Sequence, residues 1–125
     1  MGIIVIFRAV ISSSLLVLVI LLSLLATSAF PEEPLGSDTF FKGFKAFNNK
    51  DYPAAIEILS QITQKSSDQS LREIALYWLI NAHIRSDHIP EATRCIDQFL
   101  REFPASKLKK NVETELAKQI GRAHV

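Results

Sequence analysis

One cysteine in 125 residues excludes an intramolecular disulfide and a cysteine-rich metal site. Cys95 lies between Ala92 and Ile96 on what reads as a helix. There it is a small apolar residue, or else a thiol that pairs between chains. His83 and His88, with no Cys or further His close by, make no metal centre, and Asp87 beside them reads as a turn residue. Glycine-rich phosphate loops, a Ser-His-Asp set and a Cys-His pair are all missing. Charge of one sign is missing too: 14 Lys+Arg stand against 13 Asp+Glu, and the signs are interspersed. Lys107, Lys109 and Lys110 gather at one helix start and read as a solvated face, whereas a nucleic-acid binder carries a stronger basic patch. No cofactor, metal ion or nucleic acid is expected.

What the chain does have begins at its ends. Arg8 is the only charged side chain before Glu32, and Leu15 to Leu25 is apolar but for Ser23. A basic start, an apolar stretch and then Thr27-Ser28-Ala29 describe a secretory signal over residues 1–29, with the mature chain starting at Phe30. The same stretch is about long enough for an uncleaved membrane anchor. Both readings export the rest of the chain, to the periplasm or beyond, with membrane contact only through this segment. No lipoprotein cysteine stands after the apolar stretch, and Ile6 occupies the place where myristoylation requires Ser or Thr. Residues 30–36, with two Pro and two Glu, read as a linker. At the other end, Ile120-Gly121-Arg122-Ala123-His124-Val125 is what a common sequencing adapter encodes, and Gln119 fits the adapter's preceding bases. Residues 120–125 are therefore expected to be a cloning or assembly scar, with the natural chain continuing past Gln119; the alternative is an ordinary helix end with a Gly cap.

Between these ends lies one small domain, residues 37–119, with a 37-residue echo. Pro53, Ala55, Leu59 and Ile62 return as Pro90, Ala92, Ile96 and Phe99. Such a period, with small and large apolar residues in register, marks stacked helix pairs that cover one another's apolar faces. The first helix has Ser37 as N-cap and Asp38 in its first turn, carries Phe40, Phe41, Phe44 and Phe47, and ends near Asn48. The second starts near Tyr52 with Pro53 in its first turn, where a missing N–H costs little. Ser70 and Glu73 form a capping box that opens the third, which ends near Arg85. The fourth takes Pro90 in its first turn and runs to Phe103, stopped by Pro104. Ser106 opens a fifth, with Leu108, Val112 and Leu116 on one face and no partner helix in this chain. Two pairs plus one helix fall short of the three repeats a solenoid usually needs, so a marginal fold is expected.

Gly43, Asp51-Tyr52 with Ala55, and Asp87 with Ala92, Phe99 and Pro104 resemble the tetratricopeptide repeat, over about residues 37–119. The first repeat lacks the terminal Pro, and Ile80 stands where a small residue is usual. The resemblance implies an all-α fold of antiparallel helix pairs, a fragment of an α-solenoid, preceded by the hydrophobic signal or anchor. Phe99 to Ser106 resembles the helix end and Pro-x-Ser turn of exported bacterial repeat proteins. These include outer-membrane assembly lipoproteins, Tol–Pal coordinators and the helical N-terminal region of soluble lytic murein transglycosylases. Ala75 to Leu79 with Ala82 is similar to the last. The transglycosylase Glu-Ser pair is absent, so the residues present are expected to be non-catalytic, and any such enzyme would hold its active site in a missing C-terminal domain acting on peptidoglycan.

In a tetratricopeptide arrangement the first helix of each pair lines a concave groove. The resemblance places Phe40, Phe44 and Phe47, then Tyr77, Asn81 and Arg85, then Thr114 and Lys118 on that surface. Rigid aromatics with a few polar groups suit a protein or peptide partner in the cell envelope. The family's carboxylate clamp needs Lys and Asn at places held by Phe40 and Phe44. The alternative for these aromatics, Phe40 and Phe44 above all, is a place in the core or beneath residues 30–36. Trp78 reads as core beneath the first helix pair, and Glu113 and Glu115 as solvated on different helix faces.

Overall fold

The computed structural model describes residues 16–21 and 35–123. The chain divides between Glu33 and Pro34 into two units. In the first, residues 16–21 are helical with every side chain exposed. No helix among the described residues is long and apolar enough to cross a membrane. Apart from 16–21, 35 and 36, the expected signal or anchor, its cleavage site and the linker lie outside the described residues, as do residues 124 and 125 of the expected scar.

The second unit holds five helices and, among its described residues, no strand: α1 (Ser37–Asn48), α2 (Tyr52–Lys65), α3 (Gln69–Arg85), α4 (Ile89–Glu102) and α5 (Lys109–Ala123). Each helix packs on the next, and α1 also packs on α3. The connections are only a few residues long, which makes neighbours in sequence neighbours in space. This packing is compatible with a solenoid.

Position in the stack explains which side chains are buried. α4 buries one stripe, Ala92, Ile96 and Phe99. α3 lies among α1, α2 and α4 and buries a much wider arc: Ala75, Leu76, Leu79, Ile80, Ala82 and His83. Ala55, Leu59 and Ile62 on α2 and Ala92, Ile96 and Phe99 on α4 are each 0 % exposed, so both copies of the echoed set are buried apart from the exposed Pro53 and Pro90. Each large member of that set contributes roughly 1.5–3 kcal/mol by burial. Gly43 lets α1 approach α2: a Cβ there would stand 3.1 Å from the side chains of Ile58 and Leu59.

The echo extends to the backbone. Lys50 and Asp87, 37 positions apart, have φ 61° and 60°. The residues after them, Asp51 and His88, have φ/ψ of −84°/72° and −85°/67°. The Asp51 N–H donates to the Ala46 carbonyl and that of His88 to the His83 carbonyl, both at 2.9 Å. The Lys50 and Asp87 N–H groups close the inner bonds, to the Phe47 and Ile84 carbonyls. These are two Schellman ends with non-glycine residues in the left-handed position.

Several helix ends differ from expectation. Ser37 is already helical; Gly36 is the N-cap and makes no side-chain cap bond. Ser70 and Glu73 form no capping box. Asp68 caps α3, accepting from the Ser70 and Leu71 N–H groups, while the Glu73 carboxylate accepts from the Ser106 hydroxyl. α4 ends at Glu102, with Phe103 as a buried C-cap. Ser106 to Leu108 is a turn rather than helix: the Ser106 hydroxyl accepts from the Leu108 N–H, and α5 begins at Lys109. α5 runs on through Gly121, which therefore does not cap it there. α5 packs on α4 and buries Val112 and Gln119.

The two left-handed turns generate a prediction. A side chain in this conformation costs about 1–2 kcal/mol, less for Asp, and glycine removes that cost while adding about 0.5–1 kcal/mol of unfolded-state entropy. Lys50→Gly should stabilise the domain by about 0.5–1 kcal/mol and Asp87→Gly by less. Urea unfolding reads this directly, and a lower midpoint for Lys50→Gly would contradict the turn geometry.

Candidate functional site

Helical spacing puts the α1 phenylalanines along one side of that helix, and helix packing sets them against α3. Trp78 is the hub. Its ring lies 4.8 Å from Phe44, 5.0 Å from Phe47 and 5.5 Å from Tyr77, all edge-on. Phe40 stacks on Phe44 at 6.0 Å, Phe41 meets Phe40 edge-on at 6.0 Å, and Phe47 meets Tyr52 at 5.6 Å. Edge-to-face pairs set the positive rim of one ring against the negative face of another, and each adds about 0.5–1.5 kcal/mol beyond area burial.

The cluster is only half-buried. Phe40, Phe47, Tyr77 and Trp78 pack against the buried core while keeping part of their surface open. Phe44 is also half-buried, and Phe41 is 62 % exposed. The rings of Phe40 and Phe44 thus have a core side and a solvent side, which combines the two readings of them. Trp78 is half-buried at the α1–α3 contact, not wholly enclosed beneath the first pair.

The other sequence-predicted site residues have separate surroundings. Asn81 is half-buried, and its Nδ2 donates to the Tyr77 carbonyl at 2.8 Å, which fixes it beside the aromatic end. Arg85 is exposed at the end of α3. Thr114 turns its hydroxyl back to the Lys110 carbonyl at 2.8 Å, and Lys118 pairs with Glu115 at 2.8 Å; both are exposed on α5. The structure therefore gathers Phe40, Phe44, Phe47 and Tyr77 around Trp78 and ties Asn81 to the Tyr77 carbonyl, but it does not join Arg85, Thr114 or Lys118 to them. Trp78, Phe41 and Tyr52 belong to the aromatic cluster and were not singled out by register. Ring contact depends on how α1 crosses α3, which residue spacing alone does not carry.

On another surface, α2, α3 and α4 enclose a cleft of about 210 Å³ lined by Thr63, His83, Glu91, Arg94 and Cys95, among others. Burial pushes the Cys95 thiol up; Arg94 opposes this and Glu91 reinforces it. Burial also holds the His83 imidazole below the usual histidine range, and His88 acts in the same direction. Among the described residues, no group of three or more His, Cys, Asp or Glu side chains is placed to hold a metal ion together.

These surroundings make two outcomes measurable. Phe44→Ala removes a ring from Trp78 and should destabilise the domain by about 1–3 kcal/mol, below the full-core value because the ring is half-buried. It should also shift Trp78 emission to the red; an unchanged spectrum would contradict the contact. Cys95 should react with a disulfide reagent near neutral pH more slowly than a free cysteine, because less thiolate is present. Ellman's reagent measures that rate, and reaction at the unfolded-chain rate would contradict the burial. No family model, curated protein or solved structure matches this chain.

Proposed function

We propose that this chain is an exported, tetratricopeptide-like helical-repeat segment that binds a protein or peptide in the bacterial cell envelope. The supporting observation is the repeat in both core and backbone: two sets of fully buried side chains and two left-handed helix ends, each 37 positions apart. In a stack of this kind the helices α1, α3 and α5 share one side. The aromatic surface around Trp78 supplies area on that side at low entropy cost, because rigid rings lose little freedom on binding. Asn81 and Arg85 add polar groups farther along α3, and Thr114 and Lys118 add them on α5. The residues present do no chemistry in this reading; they recognise.

Export rests on the N-terminal residues alone: Arg8, the apolar stretch and Thr27-Ser28-Ala29. N-terminal sequencing of the protein recovered from cells separates the two forms. A first residue of Phe30 identifies a cleaved signal, an intact N-terminus identifies an anchor, and a cytoplasmic full-length chain defeats export. Recovering the reading frame beyond the Gln119 codon then distinguishes an adaptor, with further repeats or a prompt stop, from the head of a lytic transglycosylase, with a downstream Glu-Ser domain.

The binding surface is tested by capture from envelope extract with the wild-type chain, Tyr77→Ala and Arg85→Ala. Loss of the captured partner with unchanged circular dichroism and unchanged melting supports the surface. Capture by both variants equal to wild type, with folding intact, defeats it.

A further inference from the structure

The 37-residue register makes two substitutions at the α3–α4 junction stand out. His83 is in register with Ala46, so an apolar residue holds the matching place on α1. His88 is in register with Asp51. Asp51 caps α2 by accepting from the Ala54 N–H, whereas His88, with nearly the same backbone angles, caps α4 with no side-chain bond. Both of these positions hold histidine in the second pair; His88 is exposed, and the two rings lie 5.8 Å apart.

His83 is 9 % exposed, and its Nδ1 is buried with no hydrogen-bond partner. Its backbone carbonyl accepts from the His88 N–H in the Schellman turn, so the two residues also share the backbone joint between helices. From α2, Ser60, Thr63 and Gln64 line the adjoining cleft, and none of them titrates. From α4 come Glu91, Arg94, Cys95 and Gln98. Glu91 is the one carboxylate among these groups, and it already pairs with Arg94 at 3.4 Å.

We propose that His83 and His88 form an acid-sensitive latch at the α3–α4 junction, one that holds the second helix pair closed near neutral pH and loosens it on acidification. A neutral imidazole leaves one nitrogen without a hydrogen, whereas an imidazolium donates from both. Charging His83 therefore puts an N–H on the buried Nδ1, which has no acceptor, and sets a positive charge beside His88 and beside Arg94, both of which oppose it. Opening the joint to water relieves all three penalties. The direction of the shift sets the sign. Burial first, then His88, hold the folded-state value below the unfolded one, with Glu91 opposing and Arg94 adding to the depression. The unfolded chain thus takes the proton first, so stability is full above the ordinary histidine pKa and falls as pH drops from there toward the folded-state value.

The test compares the full chain with His83→Ala/His88→Asp, which installs the residues of the first pair, and with His83→Leu, which keeps the site filled. Between about pH 7.5 and about pH 5 the wild-type melting temperature should fall by roughly 4–8 °C more than that of either variant. Amide protection in α4 should fall with it while protection in α2 holds. An equal pH dependence in wild type and variants, or a uniform loss across the domain, overturns the latch. If neither variant folds, NMR titration of the wild-type rings decides. A His83 midpoint below that of the unfolded chain upholds the proposal, and one at or above it overturns the proposal.

Discussion

The structure depends on the coverage of α3 from both sides. α1 and α2 meet it on one flank and α4 on another, and only that wrapping removes the arc from Ala75 to His83 from water. A lone pair of helices of this length would leave such an arc exposed, and isolated helices of this size are marginal in water. Close approach needs small side chains at the crossings. Gly43, Ala55, Ala75, Ala82 and Ala92 are all buried and let the backbones come near enough for Leu59, Ile62, Ile96 and Phe99 to interlock.

Polar contacts then fasten what burial has assembled. Arg72 donates from Nε to the Thr63 carbonyl at 3.3 Å and from its terminal nitrogen to Glu102 at 2.6 Å, so one side chain ties the end of α2 to α3 and to the end of α4. Gln98 braces the same carboxylate at 2.9 Å. Glu73 takes the Ser106 hydroxyl, which positions the turn into α5. These links are partly exposed and individually modest, but they fix how far each helix end can move.

The same stack gives the two halves of the surface different characters. At the α1–α3 contact, six aromatic side chains lie around or beside Trp78 with their outer edges open, which makes an adhesive apolar face on a rigid support. At the α3–α4 junction, a titratable ring occupies a place where the register calls for an apolar residue. The first feature is the surface proposed to bind a partner, and the second is the joint proposed to loosen in acid. Both lie on α3, so whatever loosens one end of that helix acts on a support the other also uses.

The sequence by itself determined the helical class, the two turns and the deepest core. Helix starts at Tyr52 and Ile89 follow from proline placement, and the buried positions of α2 and α4 follow from spacing, both within a few residues of chain. Only the tertiary structure decided the contests that are not local. Asp68 and Ser70 could each cap α3, and Asp68 did so while Glu73 was drawn to Ser106, 33 residues away. Likewise, which of the predicted site residues would meet depended on the crossing of α1 over α3. Phe40, Phe44, Phe47 and Tyr77 gathered on Trp78, while Thr114 and Lys118 turned to partners on their own helix. Periodicity records which face of a helix is apolar, but the angle and neighbour against which that face is pressed are set by packing of the whole stack.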